Sequence, residues 1–146
     1  MKSRHRAREI ALQILYQYDL AQRSFAAGNR LQLVDELRNH YEHFQVPQEL
    51  REFVGQLVIG TLITTSELDP ILEKQMTHWR IPRLSAVDRC ILRMVVYEMV
   101  HLRESPRNVI IDEAIELAKE FGSEESPSFV NGVLDQIHPE KLASST

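Results

Sequence analysis

Apolar residues recur at helical spacing along most of the chain. Ala7, Ile10, Ala11, Ile14, Leu15 and Tyr18 follow i, i+3, i+4, i+7, i+8 and i+11, which predicts an amphipathic first helix. Ser3 is placed to cap its start, and the pattern fades near Gly28 and Asn29. A second helix is predicted from Leu31 to Phe44, with Leu33, Leu37, Tyr41 and Phe44 on one face. Pro47 separates it from a third, which carries Leu50, Phe53, Val54, Leu57, Val58, Thr61 and Leu62 in one stripe. Gly55 and Gly60 of that helix read either as points of close helix approach or as a frayed end.

Asp69-Pro70 reads as an N-cap followed by proline in the first turn of a short helix from Ile71 to about His78, and Ile81-Pro82 ends that region. Residues 85–101 form the most apolar helix. Val87, Cys90, Ile91, Met94, Val95, Met99 and Leu102 make one face, and Leu92, Val96 and Val100 widen it, so it belongs at the centre of the fold. Val109, Ile110 and Ile111 are β-branched and suit a strand. No second strand-like run exists to pair with them, so they read as the front of a helix reaching Phe121, with Gly122 at its C′ position. Ser126-Pro127 opens a last helix as N-cap and N1, through about Ile137, burying Val130, Val133, Leu134 and Ile137. Residues 139–146 are expected to fray. The predicted fold class is all-α: a compact bundle of about seven helices in one domain, residues 1–146, with helical subdomains of about 1–66 and 67–140.

Composition agrees with that class. The chain has 146 residues, an ordinary single-domain length, with 43% hydrophobic and 26% charged residues. Five glycines and six prolines are too few for a fold rich in hairpins. Cys90 stands alone, which excludes an internal disulfide or a cysteine-based zinc site and suits a reducing, cytoplasmic setting. No run of about 18 apolar residues offers a membrane span. Gln13, Gln17 and Asp19 interrupt any signal-peptide core, and Glu9 with the intact helix beyond it argues against a removable mitochondrial leader. Charge is unevenly spread. The chain carries −4, yet Lys2, Arg4, Arg6 and Arg8 against Glu9 make the first nine residues +3 and the remainder −7. A local nucleic-acid contact on an acidic body is one reading of such asymmetry.

Candidate chemistry is sparse. His40-x-x-His43 places two imidazoles on one helix face, and Glu36 is the third ligand that a metal would need, but surface histidines are the preferred reading. There is no glycine-rich phosphate loop and no nucleophile elbow. Cys90 lies on an apolar face as a small core residue. Asp112, Glu113 and Glu116 sit early in a helix, where acids oppose the dipole, so they do not read as paired catalytic acids. Glu98 falls on the apolar stripe and calls for a hydrogen-bond partner. No catalytic residue, cofactor or metal is predicted. The basic start is different. Arg4 and Arg8 lie one turn apart with Arg6 elsewhere on the circumference, and cations at a helix N-terminus oppose its dipole. Helix stability therefore does not explain them, while phosphate would. On the residues alone, a nucleic-acid clamp and a solvated basic helix end both remain open.

Several stretches together resemble the NusB family of bacterial transcription antitermination factors. They are Arg4-x-Arg6-Ala7-Arg8-Glu9 with Leu15-Tyr16, and Val87-Asp88-Arg89-x-x-Leu92-Arg93-x-x-x-Tyr97-Glu98. The most specific are Ile111-Asp112-Glu113-Ala114-Ile115-Glu116-Leu117-Ala118-Lys119 with Phe121-Gly122, and Phe129-Val130-Asn131-Gly132-Val133-Leu134-Asp135. The resemblance spans nearly the whole chain, with residues 25–80 the least characteristic. It implies a non-enzymatic, all-helical protein that binds boxA RNA together with the ribosomal protein NusE. Acting with the transcription elongation complex, such a protein promotes transcription of ribosomal RNA operons and maturation of their product. No membrane is involved, and a homodimer is compatible with the family.

The resemblance makes Lys2, Arg4, Arg6 and Arg8 the RNA contacts. His5 stands where many members carry arginine, which implies a weaker or pH-dependent contact. Phe129 lies beside the buried stripe, so stacking on an unpaired base and core packing both stay open. Asn131 serves a base edge or a helix cap, the cap being favoured, and Gly132 most simply permits close helix contact. Tyr16 and Asp88 match positions near the NusE partner. Glu124 and Glu125 precede the last helix, where a carboxylate would repel phosphate, so Glu125 is expected to temper RNA affinity. Asp112 departs from the common Ile-Asn-Glu-Ala pattern. Two rival readings are the non-catalytic front domain of ribosomal RNA methyltransferases and a purely protein-binding helical module. The first is disfavoured because the chain ends at Thr146 without a cofactor-binding βαβ unit.

Overall fold

A computed structural model describes residues 2–144, with side chains described for residues 3–142. The fold is all-α: eight α-helices, three short 3-10 turns and one π-turn, with no strand among the described residues. The chain divides into two compact units, Met1–Ser66 and Glu67–Thr146.

In the first unit, α1 (Lys2–Leu20) and α2 (Arg30–His43) both pack on α3 (Arg51–Ile63). The predicted stripe of α1 is wholly inside: Ala7, Ile10, Ala11, Ile14, Leu15 and Tyr18 are buried. Burying one such Ile or Leu side chain contributes about 1.5–3 kcal/mol. Ser3 lies within α1 and does not cap it, because the helix starts a residue earlier. The helix stops at Leu20, short of Gly28. Its apolar repeat has lapsed there, and Gln22 takes a left-handed φ of 55° that turns the chain away. Gly55 marks close approach of α2 and α3. A Cβ there would lie 2.9 Å from Tyr41 Oη, and that hydroxyl is itself held by donating to the Arg51 carbonyl at 3.0 Å.

A polar cluster ties α1 to α2. Tyr18 donates its hydroxyl to Glu36 at 2.8 Å, and Arg23 grips both carboxylate oxygens of Glu36 at 2.8 Å each. Gln32 donates a further hydrogen bond at 3.0 Å, and His40 Nε2 lies 3.2 Å from the Tyr18 hydroxyl. Glu36 and His40 are thus committed to this network, and His43 is exposed with its ring edge-on to Phe44.

The second unit begins in the first turn of α4 (Thr65–Glu73). This helix starts before Asp69-Pro70, so Asp69 is not its N-cap. The Asp69 carboxylate accepts two hydrogen bonds at 2.8 Å from Arg93, and Pro70 sits exposed inside the helix. Ser85 caps α5 (Ala86–Tyr97) by accepting the Asp88 N–H, and a π-turn at Glu98–Leu102 extends it. Ile91, Leu92, Met94, Val95 and Val96 are fully buried, as the broad apolar face requires, and Glu98 is buried with them. The β-branched run at 109–111 is helical, within α6 (Arg107–Phe121). Gly122 is extended (φ −94°, ψ −168°) and not left-handed. Glycine is needed for a steric reason: a Cβ would lie 2.5 Å from Ser126 Oγ and 2.8 Å from the Ala118 carbonyl. Ser126 is accordingly the first residue of α7 (Ser126–Leu134), and its Oγ accepts the Ser123 N–H at 2.9 Å.

α7 ends at Leu134, short of the predicted Ile137. The Arg107 guanidinium donates to the carbonyls of Leu134, Asp135 and Ile137, which satisfies the end of the helix. The tail expected to fray instead forms α8 (Pro139–Ser144), anchored by buried Pro139, while residues 145–146 lie outside the described set.

Candidate nucleic-acid interface

Arg4, Arg6 and Arg8 of the first helix do not share one environment. Arg6 is 57% exposed, and its Nη1 stands 3.8 Å from Glu9 Oε1, a loose surface pair that contributes little. His5 is half-buried, with Nε2 3.6 Å from the other Glu9 oxygen. Arg4 lies with its guanidinium carbon 4.2 Å above the Phe53 ring of α3, and Arg8 stands 5.5 Å from the same ring and is only 2% exposed. Each such cation–π contact stabilises by about 0.5–2 kcal/mol. Arg8 therefore packs α1 against α3 and presents little of itself to solvent. Lys2 lies in α1, but its side chain lies outside the described residues.

No sequence pattern links Phe53 to these arginines, but the inward direction of the arginines themselves is legible. Arg4, Arg8, Ala11 and Leu15 keep i, i+4, i+7, i+11 register, so the two arginines continue the buried stripe.

Electrostatics in the same unit centre on Glu36. Arg23's hydrogen bonds, above all, hold its carboxyl down from the usual 4.5 to about 2. Burial pushes the Tyr18 hydroxyl up and the His40 imidazole down, so His40 favours its neutral form. These groups brace α1 and α2.

In the second unit, α7 turns Ser128, Asn131 and Gly132 outward, and Phe129 beside them is half-buried. Asn131 caps no helix: its side chain makes no hydrogen bond among the described residues. Gly132 is not a point of close helix contact, since a Cβ there would meet nothing within 4 Å. Glu124 and Glu125 are exposed before this helix, and Glu125 accepts a 3.3 Å hydrogen bond from the Ser123 hydroxyl. Asp88, in the first turn of α5, has one buried carboxylate oxygen without a hydrogen-bond partner among the described residues. Tyr16, in the first unit, is an exposed aromatic on α1.

Fold and side chains together define an all-helical protein of two units that opens on a cationic helix. The NusB family model matches residues 5–139, and the chain belongs to the NusB family. It is 40% identical over 137 residues to the transcription antitermination protein NusB of Geobacter sulfurreducens, covering 94% of each chain. It is 42% identical over 137 residues to that of Bacillus cereus, covering 92% of this chain and 95% of the relative. Among solved structures, a crystal structure of the antitermination factors NusB and NusE in complex with dsRNA matches at a TM-score of 0.77. The identity there is 28%, over 92% of this chain and 95% of the other. Antitermination is a non-catalytic role. No helix among the described residues is long and apolar enough to cross a membrane.

Proposed function

We propose that this chain is an RNA-binding antitermination factor that binds boxA RNA jointly with the ribosomal protein NusE. It works by affinity and geometry, assisting the elongation complex on ribosomal RNA operons and the maturation of their RNA in the cytoplasm. The observation that carries this reading is Arg6, 57% exposed on the basic first turns of α1, in a member of the NusB family. The solved relative bound to NusE and dsRNA supports both partners.

Within this reading, Lys2, His5 and Arg6 meet phosphate, and Arg4 adds charge from its place over Phe53. Arg8 holds the helix that presents them. The partly open ring of Phe129 offers a stacking face, and Glu125 tempers affinity by repelling phosphate. Exposed Tyr16 and half-buried Asp88 suit a protein partner that supplies an apolar surface and a hydrogen-bond donor.

The test is titration of boxA RNA, with and without NusE, at several salt concentrations. Arg6→Ala is expected to weaken binding and to flatten the salt dependence by about 0.7 in log–log slope, the share of one phosphate contact on a single strand. Its thermal melt should match the parent's. Arg8→Ala should instead lower the melting temperature, because a buried group is lost. Unchanged RNA affinity and slope for a Lys2→Ala, Arg6→Ala double variant would remove α1 as the contact.

A further inference from the structure

The segment joining α4 to α5 is basic, aromatic and firmly held. From Lys74 to Arg83 the chain has no carboxylate, but it carries Lys74, His78, Arg80 and Arg83, on a protein of net charge −4. All four are exposed, and Lys74, Arg80 and Arg83 enter no ion pair among the described residues. Between them stands Trp79, the chain's single tryptophan, 53% exposed. An indole left largely in water is an unspent source of binding energy, since burial of its large face is worth more than that of most side chains.

Fraying does not account for this exposure. Ile81 and Leu84 are buried, and the Ile81 N–H donates to the Glu73 carboxylate at 3.1 Å. Arg89 donates to the carbonyls of Ile81 and Leu84 at 3.1 and 2.9 Å, and a 3-10 turn at Ile81–Arg83 closes the segment. The backbone is thus pinned at residues 81–84, directly after Trp79, while Trp79 and the cations are exposed, which limits the ordering that binding would require.

We propose that this loop is a second RNA contact, specific for single strands, in which Trp79 stacks on an unpaired base and Lys74, Arg80 and Arg83 hold the flanking phosphates. It rests on the RNA-binding reading above but uses none of the residues assigned there. A duplex hides its base faces from an indole, whereas a single strand offers them, and aromatic residues interleaved with cations are what single strands require. An acidic peptide would answer the cations yet leave the indole without a planar partner.

Because Trp79 is the single tryptophan, its own emission reports on the site. The full chain is titrated with a fluorescein-labelled boxA RNA extended by about ten uridines at each end, within the span of known single-strand sites. RNA anisotropy and tryptophan emission are followed together. Saturable quenching with the anisotropy midpoint is expected. Trp79→Ala should weaken binding by at least about fivefold, the loss of one stacked base. An Arg80→Ala, Arg83→Ala variant should flatten the log–log salt slope by about 1.4. Saturating anisotropy with unchanged Trp79 emission overturns this loop contact while leaving the α1 contact standing. Absence of both signals overturns the two together. Equal quenching by polyglutamate overturns RNA as the occupant in favour of an acidic protein.

Discussion

Arg4 and Arg8 point their guanidinium groups at Phe53, and this separates them from Arg6, which faces solvent. Glu36 shows the same economy: one carboxylate serves Tyr18, Arg23 and Gln32 at once. Its carboxyl is lowered from 4.5 to about 2, chiefly by Arg23. The stabilisation it brings is therefore fully present above pH about 4.5 and is lost as pH falls towards 2. Urea midpoints measured from pH 6 to 2 should drop more steeply across that window in the parent than in Glu36→Gln; parallel curves would show that the cluster adds nothing. Glu125 is exposed and bonds only weakly to Ser123, so its removal should cost the fold little. Glu125→Asn is expected to raise boxA affinity severalfold with the melting temperature unchanged. Equal or weaker binding places Glu125 away from the RNA. At this scale the sequence showed which residue types carry charge, but not where the charge points. The register of Arg4 and Arg8 with the apolar stripe was readable. Phe53, distant in the chain, was not connected to them by any periodicity.

Helix cores followed from the apolar repeat, because one-sided burial is a local pattern. Helix ends were less legible, since partners far along the chain decide them. Asp69 looked like a cap until Arg93 claimed its carboxylate, and α7 stops where Arg107 takes its last carbonyls. Gly122 stands where a helix end favours glycine for its conformational freedom, whereas the approach of Ser126 is what demands it. Gly55 is the clearest test of a close approach. An alanine normally favours a helix over glycine by about 1 kcal/mol. Here its Cβ would press on the Tyr41 hydroxyl, so Gly55→Ala is expected to destabilise. Adding Tyr41→Phe should recover part of the loss, giving a favourable coupling in a double-mutant cycle measured by chemical denaturation. Simple additivity would mean that the hydroxyl is not the obstacle.

Net charge is a poor guide to the whole molecule, because −4 conceals a cationic first helix and a carboxylate-free basic loop around Trp79. Local attraction should govern RNA binding all the same. With Lys2, His5 and Arg6 as contacts, and His5 protonated, log affinity should fall with log salt at a slope of about −2 before the loop is counted. A slope near zero would mean that phosphate contacts do not drive binding. Sequence by itself determined the helical class, the apolar faces and membership in the NusB family, since these rest on short-range periodicity and on motifs of residue identity. Tertiary structure alone decided which arginines face water, which carboxylates are engaged, and that a pinned backbone leaves Trp79 exposed. Those outcomes depend on side chains meeting across long stretches of chain, and no local pattern encodes such meetings.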